Sequence, residues 1–172
     1  MKYNNNIIFL EKIISQALID INQPVLLKNN DFKLLKNTTH YKHYVVFTLK
    51  KTDKTSILFW LENGDLRIDI DRTSETYTYD MKFIKENEEY IKNIITMIFT
   101  CSIKVKYCGE NYTKLYFINK KEKTLNTFSF TTGFLGFFGL VSKKNCREKI
   151  YPPIYPSEKV CLTEPVIPNS NS

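Results

Sequence analysis

The stretch SILFWLENGDLRIDIDRTSE, Ser56 to Glu75, decides the fold. Two alternating apolar runs, Thr55–Glu62 and Asp65–Asp71, flank the dipeptide Asn63-Gly64. Asn-Gly between such runs is the strongest short-range hairpin signal, because a two-residue type I′ turn needs positive φ at both central positions. That turn fixes the register. Leu61 falls opposite Leu66, Phe59 opposite Ile68 and Ile57 opposite Ile70, and these pairs define the inward face. The other face then carries Trp60 opposite Arg67, Leu58 opposite Asp69, Ser56 opposite Asp71 and Glu62 opposite Asp65. A guanidinium over an indole is a cation–π pair, and the carboxylates share its face as the pleat requires.

A row of carboxylates has three readings. A metal site needs oxygens converging at about 2.0–2.6 Å from one ion. Asp69 and Asp71 have the i,i+2 spacing that two-metal nucleases use, but Arg67 stands between Asp65 and Asp69 and no Glu-x-Lys or His partner accompanies them. No metal and no cofactor is therefore expected. A solvated sheet face is the ordinary outcome of such alternation. A partner-binding face is the third reading, with Trp60 as anchor inside a charged rim formed by Asp65, Arg67, Asp69 and Asp71.

Outward from this hairpin, seven strands and two helices are expected in the order α-β4-α-β3. Ile7, Leu10, Ile13, Ile14, Ala17, Leu18 and Ile21 recur at helical spacing after a run of Asn that suits a cap, and Pro24 closes the segment. Strands are expected at Asp31–Lys36 and His43–Lys51 before the hairpin, with Thr76–Tyr79 prolonging it. A single helix is predicted over Met81–Phe99, capped by Asp80, with Lys82/Glu86 and Lys85/Glu89 as i,i+4 pairs. Strands at Ser102–Cys108, Tyr112–Ile118 and Thr124–Thr131 complete the set. Short connections in this order indicate an α+β domain on an antiparallel sheet. One domain over 1–150 is expected, followed by an extended Pro-rich tail, 151–172, which holds five of the six prolines.

The chain of 172 residues carries a net charge of +7, unevenly spread. Residues 51–100 sum to −3 and residues 101–150 to +7, so two surfaces of opposite sign are expected. No apolar run approaches the roughly 18 residues that a membrane helix needs. The N-terminus lacks the apolar core and small-residue cleavage site of a signal peptide. Four cysteines in a chain of this size do not read as a disulfide framework, so reduced thiols and a cytoplasmic location are expected. Cys101 and Cys108 miss the usual zinc-ligand spacing.

The basic third quarter contains a second hairpin, SIKVKYCGENYTKLYFI, residues 102–118. A three-residue turn, Gly109-Glu110-Asn111, places Ile103 opposite Phe117 and Val105 opposite Leu115, facing inward. Lys104 then opposes Tyr116 and Lys106 opposes Lys114. Lysines on a sheet edge guard against aggregation. With Tyr112 and Tyr116 they also suit an acidic protein or a phosphate backbone. His40 and His43 are the only histidines. With lysines they supply the minimum for a metal-independent ribonuclease, although three residues apart on a strand they point to opposite faces. TTGFLGFFGL, 131–140, is apolar but has no Lys-Ser/Thr after its glycines, so it is no phosphate loop. Core packing and a loop offered to a partner both fit it.

The segments LFWLENGDLRIDID, EYIKNIITMIF and IKVKYCGENYTKLYFINKKEKTLNTFSF together resemble immunity proteins of bacterial contact-dependent growth inhibition and other polymorphic toxin systems. The resemblance implies an α+β or all-β fold without catalysis. It implies a partner too, a cognate protein toxin, often a nuclease, held by charge complementarity. Trp60, Asp65, Arg67, Asp69 and Asp71, or Lys104, Lys106 and Lys114, are the candidate contact residues. Two other functions are a small ribonuclease using His40 and His43, and a nucleic-acid-binding adaptor using the basic 101–150 region.

Overall fold

Apolar residues at helical spacing make the first element, α1, Lys2–Asp20. Its buried stripe is the expected one, from Ile7 and Leu10 to Leu18, and Ile21 just past its end is buried too. The coordinates are a computed structural model that describes residues 2–23, 32–38, 43–49, 55–62, 65–109, 112–131 and 146–156. Asn4–Asn6 lie inside the helix rather than capping it. Its C-terminus ends on Asn22, at φ 61, where Gln23 N–H reaches the Leu18 carbonyl at 2.8 Å and Asn22 N–H reaches Ile19 at 2.9 Å. That is a Schellman stop with Asn in place of Gly. Pro24 lies outside the described residues.

The antiparallel α+β expectation holds. All seven expected strands form: β1 (Phe32–Thr38), β2 (His43–Leu49), β3 (Ile57–Glu62), β4 (Asp65–Ile70), β6 (Ser102–Cys108), β7 (Tyr112–Ile118) and β8 (Thr124–Thr131). Two more appear among the described residues, β5 (Thr73–Asp80) and β9 (Cys146–Tyr151). The strands divide between two antiparallel sheets, ordered β1-β2-β3-β4-β5 and β8-β7-β6-β9. The β3–β4 register is the expected one, Ile57↔Ile70, Phe59↔Ile68 and Leu61↔Leu66, and all six side chains are fully buried. The turn itself, Asn63-Gly64, lies outside the described residues, as do Glu110-Asn111 of the second turn. The β6–β7 register likewise pairs Ile103 with Phe117 and Val105 with Leu115.

The second helical segment is not continuous. It forms α2, Met81–Glu86, and α3, Glu88–Thr100, separated by Asn87 at φ −131, ψ 42. Asp80 caps α2 as expected, accepting from Phe83 N–H at 2.7 Å. Asn87 donates its side-chain amide to the Phe83 carbonyl at 2.9 Å, which competes with helix continuation. The break re-aims the expected charge pairs. Lys85 donates to Asn6 of α1 at 3.3 Å. Lys92 bridges Glu89 at 2.7 Å and Asp20 at 3.1 Å.

The C-terminal half of α3 is buried throughout, so it is the central element of the core. Phe59 and Phe117 meet this core from one sheet each, and Phe99 packs edge-on to Phe59 at 6.0 Å. Past β9, Ile154 and Tyr155 enter the same core, and Tyr155 N–H donates to the Phe99 carbonyl at 3.0 Å. Residues 157–172 lie outside the described residues.

Among the described residues, two joints connect the sheets. At one, Tyr77 of β5 meets Phe117 at 6.4 Å and Phe128 at 6.3 Å, and its hydroxyl accepts from Asn126 at 3.3 Å. At the other, Asp71 meets Tyr107 and Tyr151. The cysteine expectation needs correction. Cys101 is a buried thiol, but Cys108 and Cys146, directly opposed on β6 and β9, form a disulfide. The sequence showed no strand at Cys146, so nothing placed these two side by side. Among the described residues no helix is long and apolar enough to cross a membrane.

Candidate functional site

The outer face of the first sheet is built as the hairpin register requires. Trp60 is paired with Arg67, whose guanidinium lies 4.9 Å from the indole centroid. Arg67 also holds Asp69, at 3.2 Å from Nε to Oδ1 and 3.3 Å from Nη2 to Oδ2. The Nη2 contact is a charge-assisted hydrogen bond, and Nε adds close charge pairing on the other oxygen. Asp69 is only 8% exposed, so it is not a solvent-facing charge. Asp65, opposite Glu62, is exposed.

Asp71 does not continue the row. The strand ends at Ile70, and Asp71-Arg72 form a two-residue connection closed by the Ile70↔Thr73 pair. Asp71 sits at φ 56, a conformation that Asp tolerates better than most residues. Its N–H still donates to the Ser56 carbonyl at 2.8 Å. Its side chain turns toward the second sheet, where Oδ2 accepts from Tyr107 and Oδ1 accepts from Tyr151 at 3.1 Å. Neither Asp69 nor Asp71 is thus a carboxylate without a partner in the fold. Asp69 is neutralised by Arg67, and Asp71 is spent on a joint between sheets.

The second sheet presents lysines and tyrosines on its outer face. Lys104 and Lys114 flank the Tyr116 ring at 5.7 and 5.1 Å. Lys106 lies opposite Lys114, a repulsive pairing in itself. Glu148 of β9, opposite Lys106, relieves it by bridging Lys104 at 2.8 Å and Lys106 at 3.4 Å. The hydrogen bond from Lys104 is the main reason the Glu148 carboxyl is held below its ordinary range, and the same contact raises Lys104. A shallow depression of about 210 Å³ lies among Lys106, Tyr112, Lys114 and Tyr116, with the disulfide at its edge. Ile150, on the same face, is 64% exposed.

Sequence reasoning missed a third region, a cleft of about 780 Å³ at the Asp71 joint. Arg72, Arg147 and Lys149 line it together with Tyr107 and Tyr151. Burial first, and the bond to Asp71 second, keep the Tyr107 hydroxyl protonated well above the usual range. The alternation in CREKIY, 146–151, was the available signal, since it sets Arg147, Lys149 and Tyr151 on one face.

Comparison with protein-family models, with curated proteins and with solved structures gives no match. The chemistry of the faces must therefore carry the functional reading. Among the described residues no three His, Cys, Asp or Glu side chains group as a metal site. His43 begins β2, and His40 lies outside the described residues, as does the apolar segment from 132 to 140.

Proposed function

We propose that the chain is a non-catalytic binding protein of the immunity type, which neutralises one cognate protein toxin. Its contact surface in this reading is the outer face of the second sheet. The observation that supports this is the Lys104, Lys106, Lys114 stripe, spread around Tyr116 and Tyr112 and compensated by Glu148. Cations already seated on aromatic rings or bridged to a carboxylate lose little freedom on binding. An exposed Ile150 on the edge strand beside Lys104 adds apolar area to this charged surface. The partner that fits is acidic at its contact face. That departs from an inhibitor whose carboxylates fill a nuclease cleft, since Asp69 and Asp71 are engaged within the fold. Trp60, Arg67 and Asp65 remain a second, smaller contact.

The test is co-expression with the product of the neighbouring upstream gene. That product is expected to be lethal alone and harmless with this chain. The K104Q/K106Q/K114Q variant should fold but lose protection and lose binding by calorimetry. Full protection by the folded triple variant would remove the second sheet from the reading.

The same stripe favours one alternative, a nucleic-acid-binding adaptor. It requires affinity for RNA or DNA that falls steeply with salt. As for location, the cytoplasm is proposed from the sequence, but a Cys108–Cys146 disulfide belongs to an oxidising compartment. Intact mass after alkylation of protein from its native source decides between them.

A further inference from the structure

Among the described residues, the cleft between the sheets holds three cations that no carboxylate pairs with. Both carboxylates at its wall are already committed. Asp71 gives one oxygen to Tyr107 and the other to Tyr151. Glu148 is bridged to Lys104 and Lys106, which project from the opposite face of the sheet. Arg72 instead lies over the Tyr107 ring at 5.2 Å, and Lys149 over the Tyr151 ring at 4.3 Å. Arg147, opposite Tyr107, is exposed. Among the described residues none of these three cations forms an ion pair.

We infer that this cleft binds a small phosphate-bearing anion with two or more adjacent phosphoryl groups, by way of Arg72, Arg147 and Lys149. Its volume, about 780 Å³, falls in the range of small-molecule sites, roughly 300–1,000 Å³. Three cations around one concavity exceed what a single carboxylate would neutralise and match a diphosphate. Two guanidinium forks suit phosphoryl oxygens, and the lysine adds a point charge. The geometry is pre-set. The aromatic faces seat Arg72 and Lys149, and Asp71 fixes both rings by accepting a hydrogen bond from each hydroxyl; its single negative charge leaves the three cations in excess. Tyr107 stays protonated through the physiological range, which keeps the floor free of phenolate charge.

Inorganic pyrophosphate and ATP are the probes, titrated calorimetrically into the full chain at fixed salt. Both should bind, and R72Q and R147Q should each weaken binding about 10-fold or more, as loss of a charge-assisted bond does. Both side chains are exposed, so the fold survives their loss. Pyrophosphate binding without ATP binding assigns the site to free polyphosphate, and tighter ATP binding assigns it to a nucleotide. K114Q, on the opposite face and without contact to Glu148, should leave both affinities unchanged, which separates this site from the proposed toxin contact. Absence of heat with either probe up to millimolar concentration overturns the proposal. So does binding that survives R72Q and R147Q but is lost in the lysine variant, since that would be general attraction to a basic protein.

Discussion

Asp71 accepts hydrogen bonds from the hydroxyls of two tyrosines of another sheet, and so one side chain joins the two sheets. Tyr107 is raised mainly by burial and then by this bond. Tyr77 and Tyr79 are raised mainly by burial in the aromatic cluster. All three hold their protons more tightly folded than unfolded, where the ordinary value is 10.0. The stability they contribute is therefore complete below pH 10.0 and drains as pH rises past it. An ultraviolet tyrosinate titration should show that at least these three of the 11 tyrosines fail to ionise at about pH 11 until the chain unfolds. Glu148 has the opposite sign, since its carboxyl is lowered from 4.5 chiefly by Lys104. Its contribution is present above that value and is lost as pH falls through the folded one. Carboxyl NMR should place Glu148 below 4.5, and K104Q should move it back upward. None of these tyrosine contacts was legible in the sequence, because each joins elements whose relative placement no local pattern records.

Both hairpins were legible at the level of strand pairing, for a definite reason. Side chains alternate with a period of two, so one turn and one set of apolar partners fix every other pair. Leu61↔Leu66 and Val105↔Leu115 follow from that alone. The same logic fails at Asp71, where the chain turns without glycine, and at β9, whose residues CREKIY lack the apolar alternation that predicts a strand. It fails at Asn87 too, where an amide bonded to Phe83 interrupts an otherwise amphipathic helix. Overlooking β9 hid the disulfide with it. Cys108 and Cys146 lie 38 residues apart in sequence, and a link over that span stabilises a chain by about 2–4 kcal/mol. Oxidised protein should lose two mass units relative to reduced protein on forming the bond. Replacing both cysteines by Ala should lower the urea midpoint and, by releasing the crosslink from the denatured chain, raise the slope.

At the scale of the molecule, the helices and both sheets share one core, and its least anticipated members are Ile154 and Tyr155. The proline-rich composition from Tyr151 onward gave no hint of this, since prolines mark extension without saying what the extended chain touches. Tyr155 packs on Phe99 at 5.8 Å, edge to face, and its backbone bonds to the same residue. Tyr155→Ala should cost about 3 kcal/mol, the order seen for large aromatic truncations in cores. Equilibrium denaturation would read it. An effect below about 1 kcal/mol would mean that the segment packs only loosely.

The position of β9 in its sheet sets the order in which the molecule can be completed. Strands β6, β7 and β8 follow one another in the chain and can pair as soon as they emerge, whereas β9 joins β6 only after a long excursion. Contacts distant in sequence form late, because closing the loop costs entropy before it is repaid. Yet β9 supplies Glu148 to the lysine stripe, Arg147 and Lys149 to the cleft, and the tyrosine that completes the grip on Asp71. A ribosome-bound chain that ends before Tyr151 therefore has most of its scaffold and neither of its finished surfaces. Both surfaces are completed together, by β9.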